Sequence, residues 1–349
     1  MPRILTTGST GYIGGSVLAA IHATYPECTI SAMLRKITTR YTDAYPNVKI
    51  VQGDYDSAEI IATAAAESDI VIHAGDSDHR GAMEAILTGL KRRTSTTFLI
   101  HLSGTGCISD VYTGNLGTLN PKIWSDIDDI TELASLPEDR MHRDVDKLVF
   151  EAAKTHGAHI HTAIMCPPDI YGEGRGPGIT QSFMVPFFYD AILAHGSAFY
   201  IGQGENVRST VHIDDVTSLY VKVVGEAIKS LETGTVQSEY WGDNASAFSE
   251  VRWKDMAAAT GKIMTSMGLI KSEESTECSI EDVEKLPGSR LLSLYLYGSN
   301  GRSRADRATK YLDWKPTAPG LMESLQADLL AHHQDKQRSA DIVAGKIAR

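Results

Sequence analysis

Residues 1–16 read MPRILTTGSTGYIGGS, and the spacing in this stretch decides the fold. Arg3 to Thr6 has the character of a short buried strand. Gly8, Gly11 and Gly14 follow as G-x-x-G-x-x-G, and Tyr12 to Ala23 continues with helical apolar spacing at Ile13, Val17 and Ile21. A strand–turn–helix of this kind needs one glycine for the tight turn, one for close approach of a pyrophosphate and one for helix–strand packing. The N–H groups and dipole at the helix start then hold phosphate. Thr10, Tyr12 and Ile13 share that turn and are expected beside the phosphates with the three glycines. In this context the stretch predicts a dinucleotide site rather than a glycine turn with no ligand.

With 349 residues the chain can bury a sizeable core, as one large domain or two closely joined ones. Its 42% hydrophobic and 22% charged residues are those of a soluble globular protein. A formal net charge of −11 argues against nucleic acid or an anionic membrane as partner. No stretch approaches the roughly 18 apolar residues of a membrane span. The dinucleotide strand starts at once, without a signal-peptide pattern. Cys28, Cys107, Cys166 and Cys278 are scattered with no metal spacing, which reads as buried thiols in a reducing compartment and no metal site. A cytoplasmic location is expected.

Outward from the glycine turn, the second strand, Thr29 to Leu34, ends in Arg35 and Lys36. An acidic residue there would bond the ribose 2′-OH of NAD, whereas cations accommodate the 2′-phosphate of NADP, so the expected cofactor is NADP(H). The third strand, Val48 to Gln52, leads to Asp54 and Tyr55, expected near the adenine. The fourth, running into Ala74 and Gly75, is nearly all apolar, as a strand covered on both faces should be. The fifth, Thr97 to Ser103, ends in Ser103, Gly104 and Thr105 at the carboxyl edge where open α/β sheets bind ligands. This alternation predicts an α/β fold, a Rossmann-type doubly wound parallel sheet with right-handed crossovers.

Asp110 to Pro137 reads as a surface insertion, its acidic residues Asp126, Asp128, Asp129 and Glu132 as a solvated face. Pro137 is expected to open a helix to about His156, with Val145, Leu148, Val149, Ala152 and Ala153 inward and Arg143 and Lys147 one turn apart on another face. The sixth strand, His159 to Met165, leads to Pro167, Ile170 and Tyr171. Ile179 to Ile201 then concentrates aromatics, Phe183 and Phe187 among them, that either line an apolar substrate cavity or form plain core. In VRSTVHIDDV a strand runs into a helix capped by Asp214 and Asp215. The expected division is a dinucleotide-binding domain over 1–175 with part of 205–245, and a smaller C-terminal α/β substrate lobe over 176–204 and 246–335. A last amphipathic helix is expected to end near His333, leaving 336–349 as a polar, frayed tail.

By this point the chain resembles an extended or atypical short-chain dehydrogenase/reductase, the superfamily of NAD-dependent epimerases, dihydroflavonol-type reductases and NmrA-like proteins. TGSTGYIGG, DIVIHAG, FLIHLSGTG, PPDIYGEG, VHIDDV and YLDWKP carry the resemblance in the family's order, from residue 3 to about 330. It implies cofactor contacts at Ala74, Gly75, Pro167 and Ile170, and a homodimer through a helix pair as the family's common assembly. It also implies a Tyr-x-x-x-Lys helix with a Ser or Thr from the fifth strand. Ser103 or Thr105 takes the hydroxyl position and Lys147 the lysine position, on the nicotinamide ribose. Arg143 stands where the tyrosine belongs. An arginine cannot exchange protons near neutrality, though it can stabilise an oxyanion or hold a carboxylate. The proton donor is then His142, or Tyr112 or Tyr171 from elsewhere, or the chemistry resembles that of benzylic ether reductases, which keep the lysine without the tyrosine. Asp169 and Cys166 stand where sugar-nucleotide epimerases carry Asn and Arg, which disfavours a diphosphate. Arg208 matches a position that contacts substrate phosphate in those enzymes.

The reading that follows is an NADP(H)-dependent oxidoreductase acting on a small apolar or aromatic carbonyl, enone or benzylic substrate. Tyr171, Phe183, Phe187 and Arg208 are its expected substrate contacts. The alternatives are an epimerase or dehydratase that retains its cofactor, and an NmrA-like sensor without turnover.

Overall fold

The computed structural model describes residues 1–237, 241–245 and 249–343. Its first half alternates strand and helix: β1 (Arg3–Thr7), α1 (Tyr12–Thr24), β2 (Thr29–Leu34), α2 (Thr39–Ala44), β3 (Lys49–Gln52), α3 (Ala58–Ala66), β4 (Ile70–His73), α4 (Arg80–Lys91) and β5 (Thr97–Leu102). Next come the short β6 (Trp124–Ser125) and α5 (Ile130–Ala134), then α6 (Arg143–His156), β7 (Ile160–Cys166), β8 (Asp169–Tyr171), α7 (Met184–His195), β9 (Phe199–Ile201), β10 (Val207–His212) and α8 (Ile213–Thr233). The remainder holds β11 (Gly242–Ala245), β12 (Ser249–Arg252), α9 (Trp253–Ser266), β13 (Thr276–Cys278), α10 (Arg290–Gly298), β14 (Ser303–Arg304), α11 (Asp306–Leu312) and α12 (Leu321–Val343).

Seven strands make one sheet in the order β11-β7-β5-β4-β1-β2-β3, with every neighbouring pair parallel. Side chains alternate across a strand, so each face gathers its own core. One face packs Ile4, Ile30, Ile72 and Ile100 against Val17 of α1 and Leu219 and Val223 of α8. The other packs Leu5, Val71 and Leu99 against Ile61 of α3, Met83 and Ile86 of α4, and Val145 and Val149 of α6. The doubly wound parallel sheet is as the alternation predicts. Its seventh strand, the Gly-Asp-Asn-Ala stretch of β11, is an addition that the sequence pattern does not announce.

A separate core fills the C-terminal lobe, where Phe188, Phe199, Trp253 and Tyr297 stack among Met184, Leu325 and Leu329. Most of the aromatic stretch is therefore plain core. The supposed surface insertion is instead stitched in place: Asp110 is buried and accepts hydrogen bonds from Asn300 N at 2.7 Å and Asn300 Nδ2 at 2.9 Å. Asp126, also buried, accepts from Arg307 N at 2.9 Å, so the acidic run is not a uniformly solvated face. The cap of α8 is His212 rather than the aspartates, its Nδ1 accepting from Asp214 N at 3.1 Å. Helix α12 continues past His333 to Val343, with Lys336 Nζ donating to Asp190 at 2.6 Å. Residues 344–349 of the expected tail lie outside the described residues.

The difference that matters most is the start of α6. It begins at Arg143, not at Pro137, because His142 takes a left-handed backbone with φ 68°. Non-glycine residues rarely hold that conformation without outside support. Support comes from Tyr112, whose hydroxyl accepts from Met141 N at 2.9 Å, and from the side-chain bond of His142 to Asp78.

Candidate active site

The glycine turn is a cradle that no other residue fits. Gly8 has φ +78°, and a Cβ there would overlap the Ala74 carbonyl. A Cβ on Gly14 would overlap the Gly8 carbonyl, so α1 sits directly on the turn. Gly11 caps α1 without any side-chain bond, its N–H turned back to Gly8 O at 2.9 Å, which leaves the first-turn amides to a ligand. Beside the turn lies a cavity of about 360 Å³ lined by Gly8, Thr10, Arg35, Lys36, Asp54 and Tyr55, among others. It has the shape and chemistry for the adenosine end of a dinucleotide, with the two cations at the mouth of β2. The Tyr55 ring lies where a Cβ on Gly75 would go, and its hydroxyl accepts from Asp76 N at 3.3 Å. A strap from β8 to α7 covers the turn: Ile179 N donates to Thr10 O at 3.0 Å, Arg175 N to Ser16 Oγ at 2.8 Å, and the Arg175 guanidinium pairs with Asp214 at 3.0 Å.

The cradle opens into a second cleft, about 320 Å³, at the carboxyl ends of β4, β5 and β7. Tyr12, Ile13, Gly75, Pro167 and Ile170 line it on the cofactor side. Phe183, Met184 and Leu296 of the C-terminal lobe form an apolar wall, with Tyr295 beside them. Its polar lining is Ser77, Ser103, Thr105 and His142, with Asp169 held by Arg208.

His142 joins this lining because of its left-handed backbone. Its Nδ1 is 2.8 Å from Asp78 Oδ1, and its Nε2 lies 3.1 Å from where a Cβ on Gly104 would stand. Burial disfavours the imidazolium, but the hydrogen bond and charge of Asp78, with Asp146 and Asp76 behind, raise the pKa above the ordinary histidine value. The same bond holds the Asp78 carboxyl below its usual range. One turn along α6, buried Asp146 accepts the Ser103 hydroxyl at 3.0 Å. Its other oxygen faces His101 Nε2 at 3.5 Å; His101 stacks on His73, and His73 Nδ1 meets Thr7 Oγ1 at 2.7 Å. Burial pushes His73 down to about 3, so this ladder under the cleft holds a neutral imidazole there.

The expected Arg143–Lys147 face points elsewhere. The Arg143 side chain is buried, donates to Ala134 O at 3.0 Å, lies 3.7 Å from Asp146 and rests over the Phe150 ring at 5.5 Å. Lys147 Nζ donates to Glu138 at 2.9 Å in a surface groove with Arg80 and Glu151. With α6 starting at Arg143, His142 lines the cleft and Asp146 lies behind Ser103, while Arg143 and Lys147 point away from it. Replacing Lys147 with Ala should accordingly leave turnover within about threefold, since its salt bridge is of the half-exposed kind that contributes little. Steady-state kinetics on that variant checks the assignment, and a loss of 100-fold or more would contradict it.

Three other expected contacts move as well. Tyr171 is buried and donates to Pro319 O at 2.8 Å, away from the cleft. Phe187 stacks behind Phe183 at 5.3 Å and does not line the cleft itself. Arg208 is buried and spent internally: Nη2 donates to Asp169 Oδ1 at 2.9 Å, Nη1 to Tyr295 O at 2.8 Å, and the guanidinium lies over the Tyr295 ring at 4.3 Å. No charge is left over for an acidic substrate. Tyr112 serves the Met141 backbone and does not line the cleft. Asp78 and Asp146 were not anticipated, although the spacing His142-x-x-x-Asp146 was there to be read.

Comparison with known proteins agrees with this architecture. Residues 139–236 match the family model described as the NAD dependent epimerase/dehydratase family. Oxidase ucsJ of Acremonium sp is 27% identical over 337 residues, 93% of this chain and 95% of the relative. An uncharacterized protein of Saccharomyces cerevisiae is 25% identical over 93% of this chain and 98% of its own length. Among solved structures, the dTDP-glucose 4,6-dehydratase DesIV of Streptomyces venezuelae, with NAD and TYD bound, superposes with a TM-score of 0.65 at 17% identity, covering 96% of this chain and 98% of that one. UDP-glucose 4-epimerase of Thermotoga maritima, with UDP-glucose, gives 0.61 at 14% identity over 95% and 99%. Among the described residues no helix is long and apolar enough to cross a membrane.

Proposed function

We propose that this chain, whose residues 139–236 match the NAD dependent epimerase/dehydratase family, is an NADP(H)-dependent oxidoreductase of a small apolar or aromatic alcohol/carbonyl couple. The observation that carries the reading is the Asp78–His142 dyad, set in the polar lining of a largely apolar cleft that adjoins the dinucleotide cradle. When bound, the nicotinamide supplies or accepts the hydride. Arg35 and Lys36 would hold a 2′-phosphate, and the first-turn amides of α1 the pyrophosphate. His142 Nε2 exchanges the proton that accompanies hydride transfer, and Asp78 orients the ring. Phe183, Met184 and Leu296 bind the apolar body of the substrate and exclude water.

The internal pairing of Arg208 with Asp169 supports an uncharged substrate over a nucleotide sugar. An oriented His–Asp pair also favours turnover over a sensor role, which needs no proton donor. Fluorescence titration tests the cofactor. NADPH should bind at least about tenfold more tightly than NADH, since charge-assisted bonds to a phosphate contribute about 1.5–3 kcal/mol. The double substitution Arg35→Ser, Lys36→Ser should erase that preference. Hydride consumption against aromatic aldehydes, ketones and alcohols then reads the activity. A protein that prefers NADH would overturn the cofactor reading.

A further inference from the structure

At Ser103 and His142 the polar lining of the cleft has a definite hydrogen-bonding sense. Ser103 has one hydroxyl hydrogen, and it is directed to Asp146 Oδ2 at 3.0 Å, inside the protein. The Arg143 guanidinium, 3.7 Å from that same oxygen, balances the carboxylate, so Asp146 acts as an acceptor. What Ser103 turns to the cleft is lone pair. His142 reaches the same condition by a different route. An ionised Asp78 can only accept, so the neutral ring carries its hydrogen on Nδ1, 2.8 Å from Asp78 Oδ1. Nε2 then faces the cleft as a second acceptor. Thr105, also in this lining, has a rotating hydroxyl that serves in either sense.

We infer that this acceptor pair is built to take a hydroxyl group, so the ligand class the cleft recognises is a secondary or benzylic alcohol rather than the matching ketone or aldehyde. The alcohol O–H donates into the space between Ser103 Oγ and His142 Nε2, and its oxygen accepts from Thr105. A carbonyl oxygen in the same place brings only lone pairs to two acceptors. A site built around a hydroxyl rejects an analogue that cannot match its bonds, because buried polar groups are then left without partners. Asp78 and Asp146 are positioning residues in this arrangement: neither needs to touch the ligand, and each fixes a hydrogen on the far side of the group that does. The inference rests on the oxidoreductase reading above, and makes it more specific.

The test measures binding rather than turnover. Affinities of 1-phenylethanol and acetophenone, and of benzyl alcohol and benzaldehyde, are measured by ligand-observed NMR on the full chain across a series of rising pH values, and the ratio is read on the high-pH plateau, where it no longer changes with pH. The groups facing His142 are Asp78 and Asp76 from the β4–α4 segment, Asp146 from α6, and Gly104 and Gly106 from the end of β5. Each alcohol should bind at least about tenfold more tightly than its carbonyl partner. Asp78→Asn puts an amide N–H donor against Nδ1, moves the ring hydrogen to Nε2 and should bring the alcohol-to-carbonyl ratio to one or below. The Asp78 side chain is 58% exposed and Asn keeps a hydrogen bond to Nδ1; circular dichroism and NADPH affinity check that the variant is folded, and a merely structural role would not invert a ratio. Equal or tighter carbonyl binding by the wild type, an unmoved ratio in Asp78→Asn, or no binding of either alcohol at millimolar concentration overturns the inference. Titration with NADPH and NADH on the same sample keeps the two readings apart. Binding of NADPH or NADH with a carbonyl preference removes the hydroxyl inference alone, whereas failure to bind either nucleotide removes the oxidoreductase reading.

Discussion

His142→Gln lowers turnover by about 10²–10⁴-fold, the usual contribution of a positioned acid–base group, while leaving NADPH affinity within about twofold. The side chain caps no backbone bond and forms none of the cradle, and the Gln side chain can still reach Asp78 while Tyr112 holds the Met141 backbone, so the main loss is proton exchange. The sign of the pH dependence follows from its surroundings. Burial disfavours the charged ring, but the hydrogen bond and charge of Asp78 more than offset it, and the net shift is upward. In the direction of alcohol oxidation the ring must be neutral to accept a proton. The kcat/KM profile therefore rises with pH through a midpoint above the ordinary histidine value of about 6.5. Asp78→Asn removes the charge that stabilises the imidazolium, so the rising limb moves to lower pH as the rate drops. Stopped-flow or steady-state profiles of the three proteins check all of this. A limb unmoved by Asp78→Asn would take His142 out of the proton path.

Arg208→Met destabilises the fold by about 3–5 kcal/mol, because it leaves the Asp169 carboxylate buried without its partner. Both side chains are nearly inaccessible, and Arg208 also bonds Tyr295 O and Ser299 Oγ, the latter at 3.0 Å. The pair joins β8 and β10 to α10, and so fixes one wall of the cleft. Adding Asp169→Leu to Arg208→Met should recover at least half of the loss, since a buried ion pair is often replaceable by apolar side chains when both members go together. Urea denaturation of the single and double variants reads the difference. A single variant within about 1 kcal/mol of the wild type would mean that the charge is not buried as described.

The elements that could be read from sequence were those whose cause is local. The glycines of the first turn announce themselves because their spacing falls within one strand–turn–helix, where Gly14 meets the Gly8 carbonyl, and the alternation of strands and helices dictates the sheet. Arg35, Lys36, Asp54 and Tyr55 come together as expected because they end consecutive strands on one sheet edge. The start of α6 was not legible. It depends on Tyr112 and Asp78, which are 29 and 64 residues from the positions they hold. The resemblance set Arg143 and Lys147 on the Tyr-x-x-x-Lys positions, whereas the left-handed turn brings His142 to the cleft, with Asp146 behind Ser103. The Arg208–Asp169 pair spans 39 residues, and no local pattern marks it. The strand β11 escaped because Gly-Asp-Asn-Ala holds no β-branched or aromatic residue; parallel pairing with β7 decides its conformation.

That last strand sets a timetable for the protein's synthesis. Residues 160–166 of β7 leave the ribosome well before residues 242–245, and in the finished sheet those late residues are what cover its outer edge. A chain that folds as it emerges leaves the β7 rim uncovered until some eighty further residues have been made. Such rims are where growing chains pair with one another. Recombinant yield should therefore respond to the speed of translation and to chaperones acting between the emergence of these two strands.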